Sequence, residues 1–362
     1  MDSSFLEPVK IFVGELNKYV IEFDNYGKKA FIVTGKSSAT NGSLNDVTYI
    51  LNKLGIIYVI FDSVMENPPL ENVSDAALLG LDFGADFIIA IGGGSVIDAA
   101  KATSTLIAYS NTDASLLFDD MQNKHIPVLA VPTTAGTGSE STASAILTCH
   151  AKKTKVSIKR RIYCDKAFIN YKYTLFLPEK ITLSTSVDVL SHLIDGYTSA
   201  KSGIITDALA EWGFREFSEI ISSLRQRQFD ENFRRRILLM STIAGFVISN
   251  TRTTLPHLLS YPLTYHKGVP HGFSCGILTH EFLKFHKDKK KIEYMLKLCG
   301  FENLNALGSF LKEVCPAIVC NEEDVLSYTS IVYSDKVRLQ THPFEVSYED
   351  ILNIYRKSLL SN

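Results

Sequence analysis

Short apolar runs alternate with amphipathic stretches in the first half of the chain. The apolar runs predict strands at Lys29–Thr34, Ile56–Phe61, Phe87–Ile91 and Ile126–Val131. The stretches between them predict helices over Leu44–Leu54, Leu70–Phe83 and Val96–Ile107. Strands and helices that alternate in this way favour a parallel sheet covered on both faces, and such sheets bind ligands at the carboxyl ends of their strands.

The second half of the chain has a different pattern, with long amphipathic segments and few strand-like runs. Helices are predicted over Ser184–Ala200 (with Ser184 as its cap), Asp207–Arg225, Asn232–Ile248, Leu304–Cys315 and Tyr348–Ser358. Pro178 marks the boundary between the two patterns. We therefore expect an α/β domain over residues 1–178 and an all-helical domain over residues 179–362.

Composition and charge exclude several classes of protein. A chain of 362 residues with 46% hydrophobic and 21% charged residues is typical of about two globular domains. The net charge of −2 gives no indication of a nucleic-acid or anionic membrane partner, and no apolar run approaches the ~20 residues of a membrane span. The start Met1-Asp2-Ser3-Ser4 does not resemble a secretion signal, and the six cysteines show no CxxC spacing. A cytoplasmic location is expected.

Two glycine-containing loops follow neighbouring predicted strands. Gly92-Gly93-Gly94-Ser95 lies between a strand and a helix, where backbone N–H groups and the helix N-terminus favour a phosphate group. Asp98 follows in the first turns of that helix, as a cap or as a cofactor contact. The loop Pro132–Glu140 places four hydroxyl groups and two glycines at another strand end. Either loop alone is also consistent with a polar turn, but together they indicate a nucleotide.

The end of the first predicted strand bears on the choice between NAD and NADP. Dinucleotide sites usually hold the ribose hydroxyls with an acidic side chain, which would repel a 2′-phosphate. Here the strand is followed by Gly35, Lys36, Ser37 and Ser38, which provide a cation and two hydroxyls but no carboxylate. NADP is therefore the expected cofactor and NAD the alternative.

Four residues of the second half have the chemistry of metal ligands. Asp188 and His192 are four residues apart on a predicted helix, so both side chains project from one face. His257 and His271 flank a stretch containing Pro262, Gly268 and Pro270, which predicts a loop between them. Three imidazoles and one carboxylate suit Fe(II) or Zn(II). Buried structural histidines would show the same spacing; His266 has no such pairing and is expected not to be a ligand.

Taken together, GGGSVIDAAK, PTTAGTGSE, SVDVLSH and PHLLSYPLTYHKGVPHG resemble the iron-dependent, group III alcohol dehydrogenases. The resemblance covers nearly the whole chain. It implies an N-terminal dinucleotide-binding domain similar to that of dehydroquinate synthases, a helical C-terminal domain and a metal between them. The implied reaction interconverts a small primary alcohol or diol and its aldehyde, and a homodimer is expected. The implied metal ligands are Asp188, His192, His257 and His271.

The resemblance also implies a set of cofactor-binding residues. These are Gly93, Gly94 and Ser95 with Asp98 behind them, then Thr133, Thr134 and Thr137, together with Asn67 and Lys155. NAD-dependent members often have an aspartate where this chain has Gly35, which agrees with the expectation of NADP.

The chain departs from the family pattern at two points. Many members have a second histidine four residues after the one matched by His257, where this chain has Tyr261, and Asn170-Tyr171 replaces a usual Asp-Pro. Three alternatives stay open at this stage. They are a glycerol or glycerol-phosphate dehydrogenase, a dehydroquinate synthase-like lyase, and a nucleotide-binding protein that has lost catalysis.

Overall fold

The computed structural model describes residues 5–120 and 122–360, which divide into two compact units. One unit is Glu7–Leu177, and the other is Pro178–Asn362 together with residues 5 and 6. The division falls next to Pro178, which is the boundary that the change of pattern predicts. The start of the chain on which the expected absence of a secretion signal depends, residues 1–4, lies outside the described residues.

The N-terminal unit contains a six-stranded parallel sheet in the order β1-β8-β5-β4-β2-β3. All five strand pairs are parallel. A separate antiparallel hairpin is formed by β6 and β7. The strands are β1 Lys10–Val13, β2 Lys29–Thr34, β3 Ile57–Phe61, β4 Phe87–Gly92, β5 Val128–Pro132, β6 Ile146–Cys149, β7 Thr154–Ser157 and β8 Lys166–Ile169.

Helices α1 Ser43–Lys53, α2 Leu70–Phe83 and α3 Gly94–Ala108 connect the strands of this sheet. Every residue of β4 is buried, as expected for a central strand covered on both faces. One apolar layer packs α1 against the sheet, and a second layer is built around α2 and α3. The fold class expected from the sequence is confirmed.

The apolar pattern located the central strands and helices of this unit to within two residues. It missed the outer strands β1 and β8 and the hairpin β6–β7. Each of these has four residues, which is too short for a periodic pattern to separate it from a loop.

All secondary-structure elements among the described residues of the C-terminal unit are α-helices. Its helices are α4 Glu179–Thr198, α5 Ile204–Ser218, α6 Ile221–Gln226, α7 Glu231–Thr251, α8 Leu255–Lys267, α9 His271–Phe285, α10 Lys289–Leu298, α11 Leu304–Val314, α12 Glu322–Ser334, α13 Lys336–Leu339 and α14 Tyr348–Leu359. No helix among the described residues is long and apolar enough to cross a membrane.

Three predictions for this unit were wrong in detail. Ser184 is not a cap, because α4 begins at Glu179 after Pro178 and Ser184 is buried inside the helix. The segment predicted as one helix over Asp207–Arg225 is two helices that break near Glu219. The stretch between His257 and His271 is mostly helix α8, which contains Pro262, so that only residues 268–270 form the connection.

A cluster of rings in the C-terminal unit encloses His342. The ring packs against Phe282, Phe285, His286 and Phe344, with centroids 5.5 to 5.7 Å away. Neither of its nitrogens has a hydrogen-bond partner among the described residues. Burial, helped by the nearby His286, lowers the pKa of His342 to about 4.

We predict that His342→Phe reduces the acid sensitivity of the fold. A folded-state pKa below that of the unfolded chain means that the unfolded state binds the extra proton as the pH falls from about 6.5 to 4, so that stability is lost over this range. The loss between pH 7 and pH 5 should be about 2 kcal/mol smaller in the variant. Urea unfolding at both pH values measures it, and equal losses in the two proteins would contradict the assignment.

Candidate metal centre and nucleotide loops

Helix α4 presents the first two candidate metal ligands from one face. Asp188 and His192 lie one turn apart and are 3% and 5% exposed. His192 Nδ1 is 4.0 Å from Asp188 Oδ2. A carboxylate this deeply buried is costly unless cationic or hydrogen-bonding groups compensate its charge, so its surroundings indicate what it holds.

Helix α9 reaches this face because its second residue is a glycine. A Cβ atom on Gly272 would lie 1.8 Å from the carbonyl oxygen of Ser184 and 2.9 Å from Cβ of Asp188. The backbones of α4 and α9 can therefore approach here only without a side chain. This contact sets His271, the first residue of α9, beside Asp188.

The side chains of Asp188, His257 and His271 converge on one point. His257 Nε2 is 3.5 Å and His271 Nε2 is 3.8 Å from the same oxygen, Oδ1 of Asp188. Bonds of about 2.0–2.2 Å from Fe or Zn to nitrogen or oxygen allow two donors on one ion to lie up to about 4 Å apart. The three atoms therefore have the spacing of a metal site.

Asp195 fixes the orientation of His257. Its Oδ2 lies 2.6 Å from His257 Nδ1 and accepts the backbone N–H of Thr254, and its Oδ1 accepts the Thr254 hydroxyl. With Nδ1–H donated to this buried carboxylate, Nε2 carries the lone pair that faces Asp188. A carboxylate behind a histidine is the usual support of a metal ligand.

Ser260 has the same effect on His271. The Ser260 hydroxyl donates to the carbonyl oxygen of His257, so its oxygen is left to accept Nδ1–H of His271 at 3.2 Å. Nε2 of His271 is then the nitrogen without a proton, directed at Asp188. When both imidazoles are neutral, these partners favour the tautomer that can bind a cation through Nε2.

Electrostatics at Asp188 favour the ionised carboxylate. Burial alone would raise its pKa, but positive charge on the imidazoles of His192, His271 and His257, when they are protonated, outweighs burial and holds the pKa of Asp188 well below its usual range. Asp188 Oδ1 and His257 Nε2 are buried and make no hydrogen bond with the described residues. An ionised oxygen and an imidazole lone pair that face each other unsatisfied fit a bound metal ion.

The fourth donor of this cluster differs from the sequence expectation. The atoms within 4.8 Å of one another belong to Asp188, His257, His271 and Cys275, the last one turn into α9. The His192 ring instead stacks on His257, with centroids 4.3 Å apart. Cys275 was missed because the sequence analysis did not predict the helix that begins at His271; on α9 the two residues are four apart, the same spacing as Asp188 and His192.

Two neighbouring residues of α8 lie outside the cluster. His266 packs against the rings of Tyr265 and Tyr328 and is not among the clustered donors. Tyr261, at the position where many family members have a second histidine, stacks on His271 with centroids 5.9 Å apart.

Asp195 was also missed, because its role depends on His257, sixty-two residues away.

In the N-terminal unit, the two glycine-containing loops pack against each other. They follow β4 and β5, which are adjacent and parallel, with Gly92 opposite Pro132. A Cβ on Gly93 would lie 2.7 Å from the Thr134 hydroxyl, and one on Gly94 would lie 2.5 Å from the Thr137 hydroxyl. The glycines therefore let the two loops pack closely, which places threonine hydroxyls beside the N-terminus of α3, where a phosphate group is favoured.

Four further predicted cofactor residues, Asn67, Ser95, Thr133 and Lys155, lie in or around this loop pair. The Ser95 hydroxyl accepts the backbone N–H of Asn67. The carbonyl oxygen of Asn67 accepts the Thr148 hydroxyl, and Thr148 pairs with Lys155 across the hairpin. Thr133 is buried at the end of β5, where its N–H donates to the carbonyl of Gly92.

Two predicted cofactor contacts are directed into the protein. Asp98 accepts the Ser139 hydroxyl and the N–H of Ile146, and its pKa is raised by burial. The Ser38 hydroxyl is buried, donating to the carbonyl of Gly35 and accepting from Thr34. These side chains hold the loops in place, whereas Lys36 and Ser37 are exposed.

Comparisons with known proteins agree with this geometry. The family model for iron-containing alcohol dehydrogenases matches residues 8–171, and the model for the C-terminal part of the same family matches residues 182–313. The chain is 30% identical to the lactaldehyde reductase of Escherichia coli K12, over 72% of this chain and 69% of that protein. It is 29% identical to an NADPH-dependent butanol dehydrogenase of Clostridium saccharobutylicum, over 80% and 76%. The structure of an iron-containing alcohol dehydrogenase from Thermotoga maritima is 35% identical, with a TM-score of 0.91 over 99% of both chains.

We predict that Asp195→Asn weakens metal binding. An amide cannot hold the Nδ1–H of His257 as a carboxylate does, so affinity should fall about 10- to 100-fold. Competition with a chromogenic chelator measures the dissociation constant for Fe(II) and Zn(II). Asp324→Asn, which removes the carboxylate 2.7 Å from Lys267 Nζ, is the matched control and should bind metal normally. Unchanged affinity in Asp195→Asn would refute the orienting role.

Proposed function

The chain belongs to the iron-containing alcohol dehydrogenase family, and we propose that it reduces short-chain aldehydes to alcohols with NADPH, reversibly. Family membership makes it a metal-dependent alcohol/aldehyde oxidoreductase, and of the alternatives it disfavours the lyase and the inactive binding protein. The observation that carries the proposal is the pair of unsatisfied buried atoms, Asp188 Oδ1 and His257 Nε2, beside His271.

The reaction balances with one hydride and one proton. The hydride passes from C4 of the dihydronicotinamide to the carbonyl carbon, and a proton adds to the carbonyl oxygen, which gives the alcohol and the oxidised cofactor. A metal bound here supplies Lewis-acid polarisation of the substrate oxygen, worth several kcal/mol in the transition state. No side chain is required as a nucleophile.

The chain's own residues have three tasks at this site. Asp195 and Ser260 accept the Nδ1–H groups of His257 and His271, so that the Nε2 atoms of both rings face Asp188. Burial of Asp188 excludes water from its carboxylate, which strengthens every electrostatic interaction there. Tyr261 provides a phenol where many family members have an imidazole, so proton exchange with solvent does not pass through a histidine at this position.

Asp188, His192, His257 and His271 are the ligands that we propose. The resemblance supports His192, and its ring lies against both Asp188 and His257. Three imidazoles and a carboxylate are a borderline donor set that binds Fe(II), with Zn(II) as the alternative. Cys275 is the competing fourth donor, because its Sγ lies 3.9 Å from His271 Nε2.

NADP is the cofactor that we propose, with NAD as the alternative. Gly35 has no side chain, and exposed Lys36 and Ser37 follow it at the end of β2. A 2′-phosphate placed there would meet a cation and a hydroxyl rather than a carboxylate. Ser38 is left out of this contact because its hydroxyl is buried. A cytoplasmic location and a homodimer stay predictions.

We predict that His271→Ala and His192→Ala lose both bound metal and activity, whereas Cys275→Ala keeps both. Metal content after gel filtration and the absorbance of NADPH with butanal are the two measurements, and NADPH affinity should stay unchanged in all three variants. Full activity in metal-free His271→Ala would refute the metal centre. Metal loss in Cys275→Ala, with retention in His192→Ala, would assign the fourth position to the thiol.

We predict that Gly35→Asp lowers the preference for NADP over NAD at least tenfold in kcat/KM. The new carboxylate repels the 2′-phosphate and accepts the ribose hydroxyls of NAD, and a tenfold change corresponds to about 1.4 kcal/mol. The substitution is sterically mild, since a Cβ on Gly35 would be 3.6 Å from its nearest neighbour, the carbonyl of Val64. Gly35→Ala is the uncharged control. An unchanged preference would mean that the 2′-phosphate is held elsewhere.

A further inference from the structure

A guanidinium group lies near the candidate metal centre, on a segment that the sequence analysis did not single out. Arg338 belongs to the short helix α13, and its guanidinium carbon is 5.1 Å from the centre of the Tyr261 ring. That ring stacks on the imidazole of His271. One aromatic side chain therefore separates the guanidinium from a proposed metal ligand.

Most of the hydrogen-bonding capacity of Arg338 is unused. Its one ion pair joins Nε to Oδ2 of Asp335 at 3.5 Å, while Oδ1 of Asp335 accepts the backbone N–H of Arg338 at the start of α13. Within residues 5–120 and 122–360, the two Nη groups have no hydrogen-bond acceptor. Lys267, the cation nearest the metal motif in sequence, is by contrast paired with Asp324 at 2.7 Å.

The position of Arg338 is fixed by the segments that carry the ligands. The hydroxyl of Thr341 donates to the carbonyl of Thr253, just before α8, and the carbonyl of Thr341 accepts the N–H of Ala200, just after α4. Leu339 is buried beside them. The backbone that carries Arg338 is therefore held in place before any substrate arrives, which reduces the entropy lost on binding.

We infer that Arg338 binds an oxyanion at the far end of the substrate, so that the enzyme acts on short aldehydes that carry a carboxylate, sulfonate or phosphonate. The inference rests on the proposed aldehyde reduction. A guanidinium with both Nη groups free matches such groups with two parallel hydrogen bonds. An uncharged aldehyde would use neither, and the contact with Tyr261 places the guanidinium one ring away from His271.

The test compares propanal with three anionic aldehydes, which are 3-oxopropanoate, sulfoacetaldehyde and phosphonoacetaldehyde, in the metal-loaded enzyme with NADPH. We expect at least one anionic aldehyde to exceed propanal roughly 100-fold in kcat/KM, as a charge-assisted pair of hydrogen bonds allows. The anionic aldehyde with the highest kcat/KM identifies the oxyanion that the site prefers. Propanal reduced as efficiently as all three would overturn the inference and leave the proposed function intact.

Substitution of Arg338 is the second part of the test. Arg338→Gln should lower kcat/KM for the preferred anionic aldehyde about 30-fold or more, mainly through KM, and leave propanal within about threefold. Arg338→Lys should restore part of the loss, since a cation remains without the two-pronged geometry.

Lys336→Gln is the matched control, because it removes a charge from the same helix at an exposed position. This substitution should leave kcat/KM unchanged for both propanal and the anionic aldehyde. Metal content and NADPH affinity verify that each variant is folded. Equal losses for propanal and the anionic aldehyde in Arg338→Gln would indicate a structural role and overturn the inference. An enzyme that reduces no aldehyde, charged or neutral, would overturn the proposed function as well.

Discussion

The burial of the Asp188 carboxylate is the constraint on which the C-terminal unit depends. A charge at 3% exposure is unfavourable unless cationic or hydrogen-bonding groups surround it, and here the compensation is positive charge held among three imidazoles, either on their rings or on a cation bound between them and the carboxylate. Placing them requires α4, α8 and α9 to meet, and Gly272 permits the closest approach between α4 and α9. Helix packing and the chemistry of the site therefore share one cause, and a substitution that separates these helices would leave the carboxylate uncompensated.

Much of the fold could be predicted from local pattern. The buried strands β2 and β4 are continuous apolar runs, and α1 to α3 repeat their apolar positions at helical spacing. Each of these elements can therefore be predicted from a short stretch of sequence. The four-residue strands β1 and β8 are too short to be predicted in this way. Asp188 and His192 were predictable for the same reason, since the spacing of four residues determines a shared helix face.

Residues that act through distant partners could not be predicted this way. Asp195 orients His257, which lies far from it in the sequence. Arg338 lies beside Tyr261 in a segment that is tied to Thr253 through the hydroxyl of Thr341. A polar residue type also does not reveal its direction. Asp98 and Ser38 are among the predicted cofactor contacts, yet their polar atoms form hydrogen bonds with other groups of the protein. Lys101 illustrates the extreme, since it is fully buried and its ammonium donates to the carbonyls of Ser139, Thr142 and Ser144.

In the C-terminal unit, the proposed metal ligands and the proposed substrate contact stand on different kinds of helix. The ligands stand on the long helices α4, α8 and α9, whose packing is over-determined by burial and by the hydrogen bonds of Asp195 and Ser260. Arg338 stands on a four-residue helix that contributes one buried side chain, Leu339, to the core. A change at Arg338 therefore costs little folding stability and leaves the ligands undisturbed, whereas a change at His271 alters the chemistry itself. Selectivity for the far end of a substrate can vary at such a position while the reaction at the metal stays the same.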